Sequence, residues 1–159
     1  MIETIIERTS EYINKMPKSL RKNYGQFFTS KETAMYMASL FSIPQNDKIS
    51  ILDPGAGSGI LSAALIERLC KYNFKSITLV CYENDANILE LLKENLALIK
   101  SNIRIALNYE IKNENYILSQ EYDYNEMIGA DPKPFKYDIV IGNPPYKKIP
   151  KDAPEAIAM

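Results

Sequence analysis

The first fifteen residues set Ile2, Ile5, Ile6, Tyr12 and Ile13 near helical spacing among charged neighbours. That pattern predicts an amphipathic helix over residues 2 to 15, broken at Pro17. Such a face ordinarily packs against a core. A second helix is predicted from a cap at Thr29 or Ser30, through Glu32 to Phe41, ending before Pro44. The apolar run Ile49 to Leu52 reads as a strand. It leads into Asp53-Pro54-Gly55-Ala56-Gly57-Ser58-Gly59 and then a helix from Ile60 to Tyr72. A second strand, Ile77 to Tyr82, ends at Glu83. Asp85 can cap a following helix through Leu98, with apolar residues at 88, 89, 91, 92, 96 and 99. The alternation at Asn108 to Lys112 predicts a third strand, leading to Asn115-Tyr116. After a polar, Tyr-rich connection, Tyr137 to Ile141 reads as a short strand of the continuously buried type.

Strands alternating with helical patterns specify an α/β chain. The expected fold is Rossmann-like: a partial, mostly parallel sheet flanked by helices, with right-handed crossovers. Ligands in such sheets bind beyond the carboxyl ends of the strands. The glycine turn, Glu83, Asn115-Tyr116 and Asn143-Pro144-Pro145-Tyr146 all fall at such ends, which argues for one shared site.

With 159 residues and 46% hydrophobic content, the chain can bury one sizeable core. Residues 1–23 read as an N-terminal helix and basic linker, and 24–159 as the main domain. The net charge of −1 supplies no overall electrostatic pull toward phosphates, although bases outnumber acids from Lys15 to Lys31. The chain has no histidine, and Cys70 and Cys81 have no ligand or redox spacing. A zinc site and a Ser-His triad are therefore excluded, and no metal is expected. No apolar run reaches membrane-span length and the start has no signal-peptide core, so a reducing, cytoplasmic setting with no membrane partner is expected.

The candidate chemistry follows from position. A glycine-rich turn between strand and helix lets a ligand approach the backbone closely and meet the helix's N-terminal amides. Its pattern, D-x-G-x-G-x-G, lacks the spacing of a dinucleotide fingerprint. A carboxylate ending the next strand, Glu83, can accept hydrogen bonds from both hydroxyls of a ribose. Together these favour a ribose-bearing cofactor. In Asn143-Pro144-Pro145-Tyr146 two prolines stiffen the chain and remove donors, leaving the Asn amide and carbonyl oxygens as acceptors suited to a substrate NH₂ group. Tyr146 adds a stacking face for a planar substrate.

These segments resemble those of the N6-adenine-specific DNA methyltransferases of gamma-class order, of the restriction-modification type. The segment GQFFT resembles their N-terminal cofactor motif, DPGAGSG the glycine loop, YEND the ribose-binding acid and IGNPPY the catalytic tetrapeptide. The resemblance runs from about Tyr24 to Ile149. It implies S-adenosylmethionine as cofactor, with Phe27 and Thr29 contacting it and Asp53, Gly55 and Gly57 lining its methionine pocket. Glu83 would hold the ribose and Asn84 would lie beside the adenine. The family usually carries Asp-Phe after the third strand. Asn115 and Tyr116 fill that place here, so the acceptor for the cofactor's adenine amine would be uncharged.

The implied reaction is direct transfer to an adenine flipped from the helix, stacked on Tyr146, its amine held by the Asn143 side chain and the Pro144 carbonyl. There is no Pro-Cys motif for attack at a cytosine ring carbon. Amino-methyltransferases of ribosomal RNA or of protein glutamine share N-P-P-Y and remain alternatives, as does a cofactor-binding piece without activity of its own. In the resembled family further strands and a target-recognition domain follow this motif. Here PKDAPEAIAM reads as the start of another helix cut short. Double-stranded DNA is accordingly expected as a partner through a region beyond this chain. The strand at 137–141 is expected to present an apolar edge through which the chain forms a homodimer or aggregates.

Overall fold

The computed structural model describes residues 1–17, 28–120, 136–144 and 151–157. In chain order the described elements are α1 (Ile2–Lys15), α2 (Lys31–Ser39), β1 (Lys48–Asp53), α3 (Ile60–Leu69), β2 (Ser76–Tyr82), α4 (Ala86–Asn102), β3 (Ala106–Lys112), α5 (Tyr116–Ser119), β4 (Ile139–Val140) and α6 (Pro154–Ile157). The four strands form one sheet in the order β3-β2-β1-β4, and every pairing is parallel. The α/β architecture expected from the alternating pattern is the one observed.

Odd-numbered strand residues point to one face. Ile49, Ile51, Ile77, Leu79, Cys81, Leu107, Ile139 and Ile141 join a single buried cluster with Ile2 and Ile5 of α1, Ala34 and Ala38 of α2, most of α3, and Leu92, Leu96 and Ile99 of α4. The amphipathic N-terminal helix is thus part of the main core. The opposite face holds a smaller cluster, Leu52, Val80 and Tyr82, against which Tyr116 and Tyr137 pack.

Several boundaries differ from the sequence pattern. The helix expected to reach Tyr72 ends at Leu69, because Lys71 and Tyr72 donate to carbonyls three residues back and tighten the chain into turns. Helix α4 continues past Leu98 to Asn102, carrying the fully buried Ile99 into the core, while Asn102 Nδ2 caps the Leu98 carbonyl at 2.8 Å. Strand β3 begins two residues before the expected Asn108, since Ala106 and Leu107 pair with Ser76 and Ile77.

The fourth strand corrects an expectation. It was expected to be buried along its length from 137 to 141, yet only Ile139 and Val140 form ladder residues and Val140 is 52% exposed. Among the described residues the strand lies at the sheet's edge, and only its Ile139–Ile141 face meets the helix layer, so burial alternates. At its start the Asp138 amide donates to the Ser50 carbonyl at 2.9 Å, and its carboxylate accepts from both the Ser50 amide and the Ser50 hydroxyl, each at 2.7 Å.

Candidate functional site

Strand β1 ends at Asp53, and the chain must then reverse within six residues to enter α3. Gly59 makes this possible by taking φ +84° as the residue preceding the helix. Its missing side chain matters twice, since a Cβ there would stand 3.1 Å from Leu92 on α4. The turn is held from three sides. Ala56 donates to the Tyr82 carbonyl at 2.9 Å, tying it to the end of β2. The Gly57 amide donates to Glu83 Oε2 at 2.8 Å. The buried Asn95 of α4 donates through Nδ2 to the Ser58 carbonyl at 2.9 Å, while its Oδ1 accepts from Arg8 Nε of α1 at 3.1 Å.

Glu83 bridges two loops. Its second oxygen accepts from the Asp85 amide at 2.8 Å, so the carboxylate is fixed across the tips of β1 and β2. Half-burial raises its pKa above the usual carboxylate value, and the backbone amides of Asp85 and Gly57 partly offset that. Each carboxylate oxygen can accept two hydrogen bonds, so Glu83 retains acceptor capacity toward ribose hydroxyls. Asp53 is fully buried. Its Oδ2 accepts from Ser62 at 2.7 Å, and its Oδ1 is an orphan acceptor. Desolvation pushes this carboxyl up to about 6, against the lowering effects of the Ser62 hydroxyl and the Gly55 amide. An orphaned buried acceptor and a fixed carboxylate beside the glycine turn fit a cationic, ribose-bearing ligand.

The tip of β4 sits beside this turn. Ile141 donates to the Leu52 carbonyl at 2.9 Å, and a Cβ on Gly142 would stand 3.2 Å from the Pro54 ring, a tight contact that glycine avoids. Asn143 follows, and its Nδ2 donates to the Thr29 hydroxyl at 3.1 Å. The segment before α2, the glycine turn and the Asn143-Pro144 corner therefore meet at the carboxyl edge of the sheet, as the positions of the motifs in the sequence anticipated.

Other anticipated residues are placed as follows. Phe27, Pro145 and Tyr146 lie outside the described residues. Phe28, which sequence reasoning did not single out, reaches the turn with its ring, 3.8 Å from the Cβ position of Gly57. Gly55 has open space around it and Asn84 is exposed. Asn115 and Tyr116 stand just past β3, but each is already engaged. Asn115 Oδ1 accepts from the amides of Ile117 and Leu118 at 3.0 and 3.4 Å, capping α5. The Tyr116 ring packs edge-on against Tyr82 with centroids 5.0 Å apart. Among the described residues no cluster of His, Cys, Asp or Glu could hold a metal, and no helix is long and apolar enough to cross a membrane.

The family model described as N-6 DNA Methylase matches residues 5–155. The chain is 34% identical over 152 residues to the type II methyltransferase M.BsuBI of Bacillus subtilis, covering 94% of this chain and 29% of that protein. It is 30% identical over 153 residues to the type II methyltransferase M.PstI of Providencia stuartii, covering 93% of this chain and 29% of that one. The chain thus spans less than a third of the length of these relatives. Among solved structures, a protein assigned as a class I S-adenosylmethionine-dependent methyltransferase of Listeria monocytogenes superposes with a TM-score of 0.52 at 17% identity. The superposition covers 91% of this chain and 42% of that one, a likeness of fold.

Proposed function

The chain belongs to the N-6 DNA methylase family, and on that premise we propose that it forms the S-adenosylmethionine-binding and catalytic part of a site-specific DNA adenine-N6 methyltransferase. The observation that carries the reading is the meeting of the Asn143-Pro144 corner with the glycine turn, with Gly142 against Pro54 and Asn143 bonded to Thr29. When bound, S-adenosylmethionine supplies a methyl group on a positively charged sulfonium.

The remaining work belongs to the chain. Glu83 accepts from the ribose hydroxyls, and the acidic floor at Asp53 complements positive charge over the glycine turn. Phe27, Gly55, Gly57, Asn84, Asn115 and Tyr116 complete the proposed cofactor contacts. Asn143 Oδ1 and the Pro144 carbonyl accept hydrogen bonds from the target amine, drawing density along its N–H bonds and favouring a pyramidal, nucleophilic nitrogen. Pro145 stiffens that corner, and Tyr146 stacks on the flipped base. Positioning and charge complementarity suffice, so no protein nucleophile or metal is needed. Double-stranded DNA as partner, a homodimer through the β4 edge and a cytoplasmic setting belong to the same proposal.

The test is a labelled-methyl assay on the full-length protein with duplex DNA, RNA and protein offered in parallel. N6-methyladenine in DNA is the expected product, and label confined to RNA or protein would sink the DNA assignment. Asn143→Ala is expected to lower transfer by about 10²-fold or more, the size of losing one preorganised hydrogen-bond partner. Cofactor affinity should stay within about threefold, because the variant leaves the glycine turn and Glu83 intact. Near-normal turnover would remove Asn143 from the proposed role.

A further inference from the structure

We propose that the Thr29 hydroxyl is a positioning group that sets the rotation of the Asn143 amide; this rests on the reading of Asn143 as the acceptor for the target amine. A side-chain amide has an acceptor and a donor on opposite branches of one plane, and its terminal torsion is soft. The wrong rotamer presents NH₂ to an incoming NH₂, which is repulsive. With the Thr29 hydroxyl accepting from Nδ2 at 3.1 Å, Oδ1 stands on the other branch, the orientation an amine requires.

Both partners are mounted on fixed supports. Asn143 lies between Gly142, packed on Pro54, and Pro144, whose ring restricts the backbone. Thr29 immediately precedes the cap of α2, where Ser30 accepts from the Thr33 amide at 3.2 Å. Helix α2 is in turn anchored in the main core by Ala34 and Ala38, both buried. The bond joins residues 114 positions apart in a half-buried setting, where it competes with water less than on the surface. The family resemblance gives Thr29 a cofactor contact, whereas the structure gives its hydroxyl a hydrogen bond to Asn143. The two roles predict different kinetics.

The test compares Thr29→Val, which keeps shape and removes the hydroxyl, with Thr29→Ser, which keeps the hydroxyl. Single-turnover methyl transfer and cofactor affinity are measured on the full-length protein. Thr29→Val is expected to slow transfer about tenfold at saturating cofactor, the scale of one net hydrogen bond, with cofactor affinity within about twofold. Thr29→Ser should recover the rate to within about threefold of the unaltered protein. An unchanged Thr29→Val rate, a loss confined to cofactor affinity, or no recovery with serine overturns the inference. Asn143→Ala in the same assay separates the two levels. If it loses transfer while Thr29→Val does not, only the positioning role fails. If Asn143→Ala itself turns over normally, the acceptor reading fails and this inference with it.

Discussion

The carboxyl of Asp53 is out of contact with water, with Oδ2 accepting from the Ser62 hydroxyl and the Gly55 amide close by. Its pKa of about 6 against an ordinary 3.8 has a definite consequence for stability. Between those two pH values the folded chain keeps a proton that the unfolded chain has released. Stability is therefore fullest below about pH 4 and falls as pH rises through about 6, by on the order of 3 kcal/mol for this one group. Asp53→Asn removes the titration. In urea unfolding without cofactor, the variant should gain on the unaltered protein between pH 4 and 7, and parallel pH profiles would refute the buried-proton account. The presence of an acid at the head of the glycine turn was legible in the sequence. Its orphaned oxygen was not, because that depends on which amides and hydroxyls the folded turn brings within reach.

At the scale of elements, the least expected feature is how α1 reaches the glycine turn. Arg8 contacts Asn95 and Glu94 on α4, and Asn95 passes the connection to the Ser58 carbonyl. The contacts differ in worth. The Arg8–Glu94 pair, at 2.5 Å, is exposed on both sides and contributes little. Asn95 is fully buried, and truncating it strands a carbonyl inside the loop. Asn95→Ala should cost about 2 kcal/mol of stability and Glu94→Ala about 0.5 kcal/mol or less. Indistinguishable denaturation curves for the two would show that Asn95 does not brace the loop. Apolar periodicity announced both helices, and it put the N-terminal one against a core. It could not announce this link, because a polar residue on the buried stripe of α4 breaks the pattern that marks the stripe.

At the scale of the whole molecule, the described helices α1 to α4 cover one face of a four-stranded sheet, while β4 lies at its edge and pairs with β1 alone among the described residues. Val140 stands half-exposed there. An unpaired parallel edge with an apolar side chain is a template for another strand. This chain by itself is accordingly expected to self-associate, with a concentration-dependent mass by light scattering that Val140→Lys reduces; a monomer at every concentration would count against the edge. The sequence alone determined the alternation of strand and helix, the parallel sheet, and the placing of each polar motif at a strand's carboxyl end, because hydrophobic period and turn chemistry act over a few residues. Only the tertiary structure decided that Phe28 faces the glycine turn, that Asn115 caps a helix, that β4 is buried on alternate residues, and that Thr29 meets Asn143. Each of these is a meeting between segments distant in the chain, set by how close the packed core lets two backbones come, and no local pattern of residues records that distance.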